Sequence, residues 1–391
     1  AVSTTEVRPL SKLRPLLILG TRPEAIKMAP VVAACRDRAD EVEATVLIAG
    51  QHREMLAPVI DYFGIPSGLW LDLMTPDQSL AQLTARSIQG IDEAILRHRP
   101  HCVVAQGDTT TVMAASLAAF YRHAPLVHVE AGLRTDNMQS PWPEEMNRKV
   151  TDAIADLFFA PTAQSRQNLL AENVSSDQVH VTGNTVIDAL LEIAARIDAR
   201  ADLTARLESQ FSFLDPQRPL LLVTGHRREN FGAPFESLCS AIVDLVRTND
   251  IQVVYPVHLN PNVQAPVNAI LGGNKNIHLI EPQDYLPFVY LMKRSHVILT
   301  DSGGIQEEAP SLGKPVFVMR NVTERPEAVE AGTVKLVGTD RQRIVSTVGE
   351  ALRNQALYEL MSRAHNPYGD GQASRRIAQI LTRRNVIEFA A

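Results

Sequence analysis

Three acidic residues in the first half of the chain stand where acid–base chemistry would need them. Asp108 lies in the turn Gln106-Gly107-Asp108-Thr109-Thr110, Glu130 directly follows the apolar run LVHV in HVEAGLR, and Glu144 lies in PWPEEMNR. A carboxylate just past a buried strand faces the side of an open α/β sheet where ligands bind. Singly, each has a plainer reading. Asp108 before three threonines suits a helix cap, and Glu144 with Arg148, four residues on, suits a surface ion pair on one helix face. Jointly they form a set of proton donors and acceptors.

A second group of residues suits phosphate. Gly20-Thr21-Arg22-Pro23-Glu24 follows an apolar run, and Pro23 fits the first turn of a helix, whose unpaired N–H groups favour an anion. Arg22 and Lys27 add a planar fork and a point charge. This is not a Walker A loop, because Ala25 stands where the second glycine should be. In VILTDSGGIQEE, a strand runs through Ser302, Gly303 and Gly304 into a helix that carries Glu308. The glycines allow a diphosphate close to the backbone, and Glu308 suits ribose hydroxyls. His226, in VTGHRREN, follows a glycine beside Arg227 and Arg228, a setting that fits an anion better than a core histidine. The histidines show no HExxH or comparable spacing, so neither a metal nor another cofactor is expected.

The elements that must position these residues follow a βαβ pattern: short Val, Ile and Leu runs, a turn, then a stretch of helical period. Strands are expected at 15–19, 45–49, 102–105, 126–129 and 157–160, and a second series at 220–224, 253–257, 277–280, 297–300 and 315–318. Residues 186–214 read as a connecting helix, and residues 373–389 as a terminal helix after NPYGDG. The fold class is therefore α/β, with two Rossmann-like doubly wound domains facing a cleft. The first domain is expected over 1–185, completed by the helix 373–391, and the second over 186–372.

Bulk properties narrow the setting. A length of 391 residues suits two domains, and 45% hydrophobic with 21% charged residues suits globular cores. A net charge of −6 gives no electrostatic case for nucleic acid. Three scattered cysteines without a CxxC pair point to a reducing cytoplasm and not to a disulfide framework. The first residues lack a signal peptide's apolar core, and no apolar run reaches the length of a membrane span. A soluble cytoplasmic protein without a membrane partner is expected.

With the motifs in view, the sequence resembles the non-hydrolysing UDP-N-acetylglucosamine 2-epimerases. The matches are GTRPEAIKMAP, GQHREML, QGDTT, HVEAGLRT, PWPEEMNR, TGNTVIDAL, TGHRREN, YPVHLNPNV, DSGGIQEE and TERPEA, in order along nearly the whole chain. The resemblance implies a GT-B-like architecture whose last helix returns to the first domain, and a homodimer. It places nucleotide binding on Arg22, Lys27, His226, Gln283, Phe288, Ser302, Gly303, Gly304, Glu308 and Arg325, with Asp108, Glu130 and Arg148 on the rest of the substrate. It assigns catalysis to Asp108, Glu130, Glu144 and His226. A second UDP-GlcNAc, bound as activator by Gln51, His52, Glu144, Arg227 and His258, is also implied, although Asp77 in LMTPDQSL occupies a position that varies in the family.

The implied reaction epimerises UDP-GlcNAc to UDP-ManNAc at C2 by eliminating UDP to a 2-acetamidoglucal and adding it back. It would supply ManNAc-type precursors for surface polysaccharide. A hydrolysing epimerase, a GT-B glycosyltransferase and a non-catalytic UDP-sugar sensor share parts of this pattern, but a transferase needs no base at C2 and a sensor needs no carboxylate set.

Overall fold

The computed structural model describes residues 12–50, 53–66, 68–75, 77–323 and 325–382. The chain divides into two compact units, residues 1–189 with 369–391, and residues 190–368. The first is built on strands β1 (Pro15–Leu19), β2 (Thr45–Ala49), β3 (Leu69–Leu71), β4 (Cys102–Gln106), β5 (Leu126–Val129), β6 (Leu157–Ala160) and β7 (Val179–Val181). These form one parallel sheet in the order β3-β2-β1-β4-β5-β6-β7. The second has β8 (Leu220–Thr224), β9 (Gln252–Pro256), β10 (Ile277–Ile280), β11 (Val297–Thr300), β12 (Val316–Val318) and β13 (Val334–Leu336), in the order β10-β9-β8-β11-β12-β13.

Helices on both faces explain why the strands read as unbroken apolar runs: Leu16, Leu17 and Leu19 of β1 and Leu220, Leu221, Leu222 and Val223 of β8 are fully buried. In each sheet the strand order reverses beside the first strand of its unit, at β1 and β4 in one and at β8 and β11 in the other. At such a reversal the connections leave on opposite faces and open a crevice beyond the carboxyl ends. The turns carrying Arg22, Asp108, His226 and Ser302 follow these four strands.

The expected strands are all present within a residue or so, but β3, β7 and β13 lie outside the expectation. Each has three residues, and they include edge strands with partly exposed positions, so they lack the buried run that marks a strand in sequence. The single helix read over 186–214 is corrected to two, Thr185–Ala199 and Ala201–Gln210, broken where Arg200 adopts an extended backbone. The last helix spans Ala373–Leu381 with Thr382 as its C-cap, so it ends short of the expected 389, and 383–389 lie outside the described residues. It packs on the helix Arg22–Arg36. Asp188 ties it in place, its carboxylate accepting from Ala373 N (3.2 Å), Ser374 N (2.7 Å) and the Ser374 hydroxyl (2.5 Å).

Candidate active site

In the first unit, the helix after β1 begins with a capping box: Thr21 accepts from Glu24 N at 3.5 Å, and Glu24 Oε2 accepts from Thr21 N at 2.5 Å. Glu24 Oε1 also accepts the Thr109 hydroxyl at 2.9 Å, which joins the turn after β1 to the turn after β4. Burial raises the Glu24 carboxyl from 4.5 to about 7, against the lowering effect of hydrogen bonds from Thr21 and Thr109, and the charge of Asp108 raises it further. The folded chain thus binds this proton more tightly than the unfolded chain. The corresponding stability is complete below about pH 4.5 and is lost as the pH rises to about 7, on the order of 3 kcal/mol in all. Urea midpoints at pH 5 and pH 8 should show this loss in the native chain and not in Glu24→Gln.

Glu130 sits just past β5 with a left-handed backbone, φ +64°, and is 7% exposed. That conformation costs a residue with a Cβ about 1–3 kcal/mol, which the contacts around Glu130 must offset. Its carboxylate receives Lys27 Nζ at 2.7 and 2.9 Å, Asn184 Nδ2 at 3.3 Å and Gln106 Nε2. Lys27, expected to face phosphate, therefore engages the catalytic candidate.

Asp108 Oδ2 accepts from Arg148 Nε at 2.9 Å and Nη2 at 2.7 Å. Arg148 Nη1 reaches Glu145 at 3.0 Å, so the pairing of Arg148 with Glu144 suggested by their spacing is corrected. Glu145, Asn147 and Arg148 form the buried face of the helix Glu144–Ile154, and Glu145 is fixed by the N–H groups of Thr135 and Asp136. Glu144 opens that helix half-buried, with Oε2 enclosed and lacking a hydrogen-bond partner.

His128 was not singled out in sequence, yet its buried ring joins the two carboxylate turns. Nδ1 meets Asp152 at 2.5 Å and Nε2 meets the Gly107 carbonyl at 2.7 Å. Both neighbours are acceptors, so both nitrogens donate. Burial opposes the charge, but Asp152 and the Gly107 carbonyl prevail and raise the pKa. The imidazolium holds the residue before Asp108 from a position two residues before Glu130.

In the second unit, Asp301 follows β11 and is fully buried. Its Oδ2 accepts from the backbone N–H groups of His226 (2.9 Å) and Arg227 (2.8 Å), which fixes the turn after β8. The exposed His226 ring stacks on His258 with centroids 5.4 Å apart. Partial desolvation of the ring keeps its pKa below the ordinary histidine value; Asp301 opposes this, and His258 and Arg227 add to it. Ser302 caps the short helix Gly303–Glu308 without a side-chain capping bond. Arg325 donates from Nε to Glu307 at 2.8 Å, and its guanidinium lies where a side chain on Gly303 would be.

Glu308 is held by the half-buried Tyr285, whose hydroxyl donates to it at 2.7 Å. Gln283 exchanges hydrogen bonds with Gln210 and the Glu281 carbonyl, and Phe288 is half-buried on the helix Tyr285–Arg294. Arg22 stands half-buried in the first turn of its helix. Gln51 and His52 lie outside the described residues. Among the described residues no cluster of three or more His, Cys, Asp or Glu could hold a metal, and no helix is long and apolar enough to cross a membrane.

Comparison with known proteins decides the family. Residues 33–382 match the family model described as UDP-N-acetylglucosamine 2-epimerase. The chain belongs to the UDP-N-acetylglucosamine 2-epimerase family. Its similarity to the UDP-N-acetylglucosamine 2-epimerase of Escherichia coli (strain K12) is 54% identity, over 96% of this chain and 100% of the relative. The corresponding protein of Salmonella typhimurium is 54% identical, over 94% and 98%. The crystal structure of the Neisseria meningitidis UDP-GlcNAc 2-epimerase bound to UDP-GlcNAc matches with a TM-score of 0.88 at 47% identity, covering 95% of this chain and 100% of that one. The two Rossmann-like units are thus the GT-B-like architecture of the 2-epimerase family.

Proposed function

We propose that this chain interconverts UDP-GlcNAc and UDP-ManNAc without releasing free sugar. The observation that carries the reading is the carboxylate set of the first unit: Glu130 paired with Lys27, Asp108 paired with Arg148, and Glu144 with an unpartnered oxygen. The C2 hydrogen of an N-acetylhexosamine has no adjacent carbonyl to acidify it, so simple deprotonation fails. A base instead takes the C2 proton as the C1–O bond breaks. The C–H electrons become the C1=C2 bond of a 2-acetamidoglucal, and the C1–O electrons leave with UDP. UDP oxygen then adds back to C1 while a proton reaches the opposite face of C2.

Asp108, Glu130 and Glu144 serve as the acid–base groups. Arg22, His226 and the Ser302–Gly304 turn stabilise the departing diphosphate. Gln283 and Phe288 take the uracil, Glu308 the ribose, and Arg325 the phosphate side. The reading extends to a cytoplasmic homodimer that supplies ManNAc-type precursors for surface polysaccharide. Exposed Leu96, Phe120 and Tyr121, on two helices that pack together, offer apolar surface to a second copy. It also includes activation by a second UDP-GlcNAc through Gln51, His52, Glu144, Arg227 and His258.

The test is incubation with UDP-GlcNAc in deuterated water, followed by NMR of the products. UDP-ManNAc with deuterium at C2, formed without an acceptor, is the expected result. Stoichiometric free sugar would show a hydrolysing enzyme instead, and unchanged protonated UDP-GlcNAc would defeat the epimerase reading.

A further inference from the structure

Asp301 has no part in the scheme above, yet it is fully buried against the imidazole that the scheme uses. Its two oxygens are treated differently by the fold. Oδ2 accepts from His226 N, Arg227 N and Asn230 Nδ2, at 2.9, 2.8 and 3.3 Å. Oδ1 is enclosed and has no hydrogen-bond partner. His226 Nδ1 lies 3.7 Å from Oδ1, too far for a hydrogen bond but facing it. The carboxylate cannot move to close that gap, since three N–H groups pin Oδ2 and its own backbone N–H bonds the Thr224 carbonyl. The imidazole, 43% exposed, has room to turn by the roughly 1 Å required.

We propose that Asp301 is a positioning residue whose Oδ1 receives the Nδ1–H of His226, fixing the tautomer of the ring and leaving Nε2 as the atom that meets the ligand. The proposal rests on the reading that His226 acts at the departing diphosphate. An ionised carboxylate only accepts hydrogen bonds, so Nδ1 must carry the hydrogen and Nε2 of the neutral ring is bare. A second proton on Nε2 makes the ring a charged donor as negative charge develops on UDP. Among the described residues acting on the ring, the stacked His258 and the adjacent Arg227 resist that second proton, and Asp301 favours it. Without Asp301 the ring would keep its place in the chain and lose its orientation and its charge partner.

The test is long-range nitrogen–proton NMR on the full chain without ligand, with His226 assigned by comparison with His226→Gln. The native chain should show the Nδ1–H tautomer. In Asp301→Asn the side-chain NH2 can face the ring and donate to Nδ1, so the tautomer should switch to Nε2–H. In that variant kcat for epimerisation should fall by about 10²-fold while KM for UDP-GlcNAc stays within about threefold. An Nε2–H ring in the native chain overturns the proposal, and this measurement stands even if the variant does not fold. An unchanged tautomer in Asp301→Asn also overturns it. A switched tautomer with undiminished kcat overturns the positioning role, while the epimerase reading remains subject to the separate deuterium test.

Discussion

Glu130→Gln should lose epimerisation, with kcat down by about 10³-fold, and should stop incorporating deuterium at C2 of UDP-GlcNAc. The carboxamide keeps the volume of the side chain and an oxygen for Lys27, but it can neither take nor return a proton. The large effect follows from placement. Glu130 is buried on a left-handed backbone, with Lys27, Gln106 and Asn184 all donating to its carboxylate, so no neighbouring group can swing in to replace it. UDP affinity, measured by calorimetry, should stay within about threefold, because the nucleotide is assigned to the second unit and to Arg22. Wild-type exchange in this variant would remove Glu130 from the acid–base set.

Gly303→Ala should separate nucleotide affinity from stability. A Cβ on Gly303 would lie 2.9 Å from Arg325 Cζ and Nη1 and 3.2 Å from Nε, closer than such atoms pack. The guanidinium is the far end of a flexible side chain, so it moves aside instead of forcing the backbone to yield. Arg325 then gives up its bond to Glu307 and its place beside the Ser302–Gly304 turn. The expectation is a UDP Kd weakened by about tenfold or more, with Tm lowered by only a few degrees. Unaltered UDP binding would show that Arg325 does not serve the nucleotide.

The main strands were legible because parallel sheets bury both faces, so short runs such as LLIL and LLLV, bounded by turns and followed by helical stretches, read as strands. The short strands at 69–71, 179–181 and 334–336 were not, since three-residue pairings leave too little apolar sequence to stand out. In the site, the glycine turns are local patterns and could be read directly. What sequence did not give was partnership across the fold. Lys27 meets Glu130 and Arg148 meets Asp108 over separations of 103 and 40 residues, and no spacing rule connects them. His128 and Asp301 escaped notice for a related reason. His128 lies inside an apolar run and Asp301 directly follows one, so each resembles a satisfied core polar group until its partners are known.

The bond of Asp188 to Ala373 and Ser374 has a consequence for synthesis. The helix that closes the first unit leaves the ribosome only after all of residues 190–368 have done so. The unit translated first is therefore finished last. Until then Asp188 lacks its hydrogen bonds from Ala373 and Ser374, and the face of the helix Arg22–Arg36 that will be covered stays exposed to solvent. The second unit, contiguous in the chain, can fold as it emerges. A stall before residue 369 would present chaperones with a folded second unit joined to an incomplete first one.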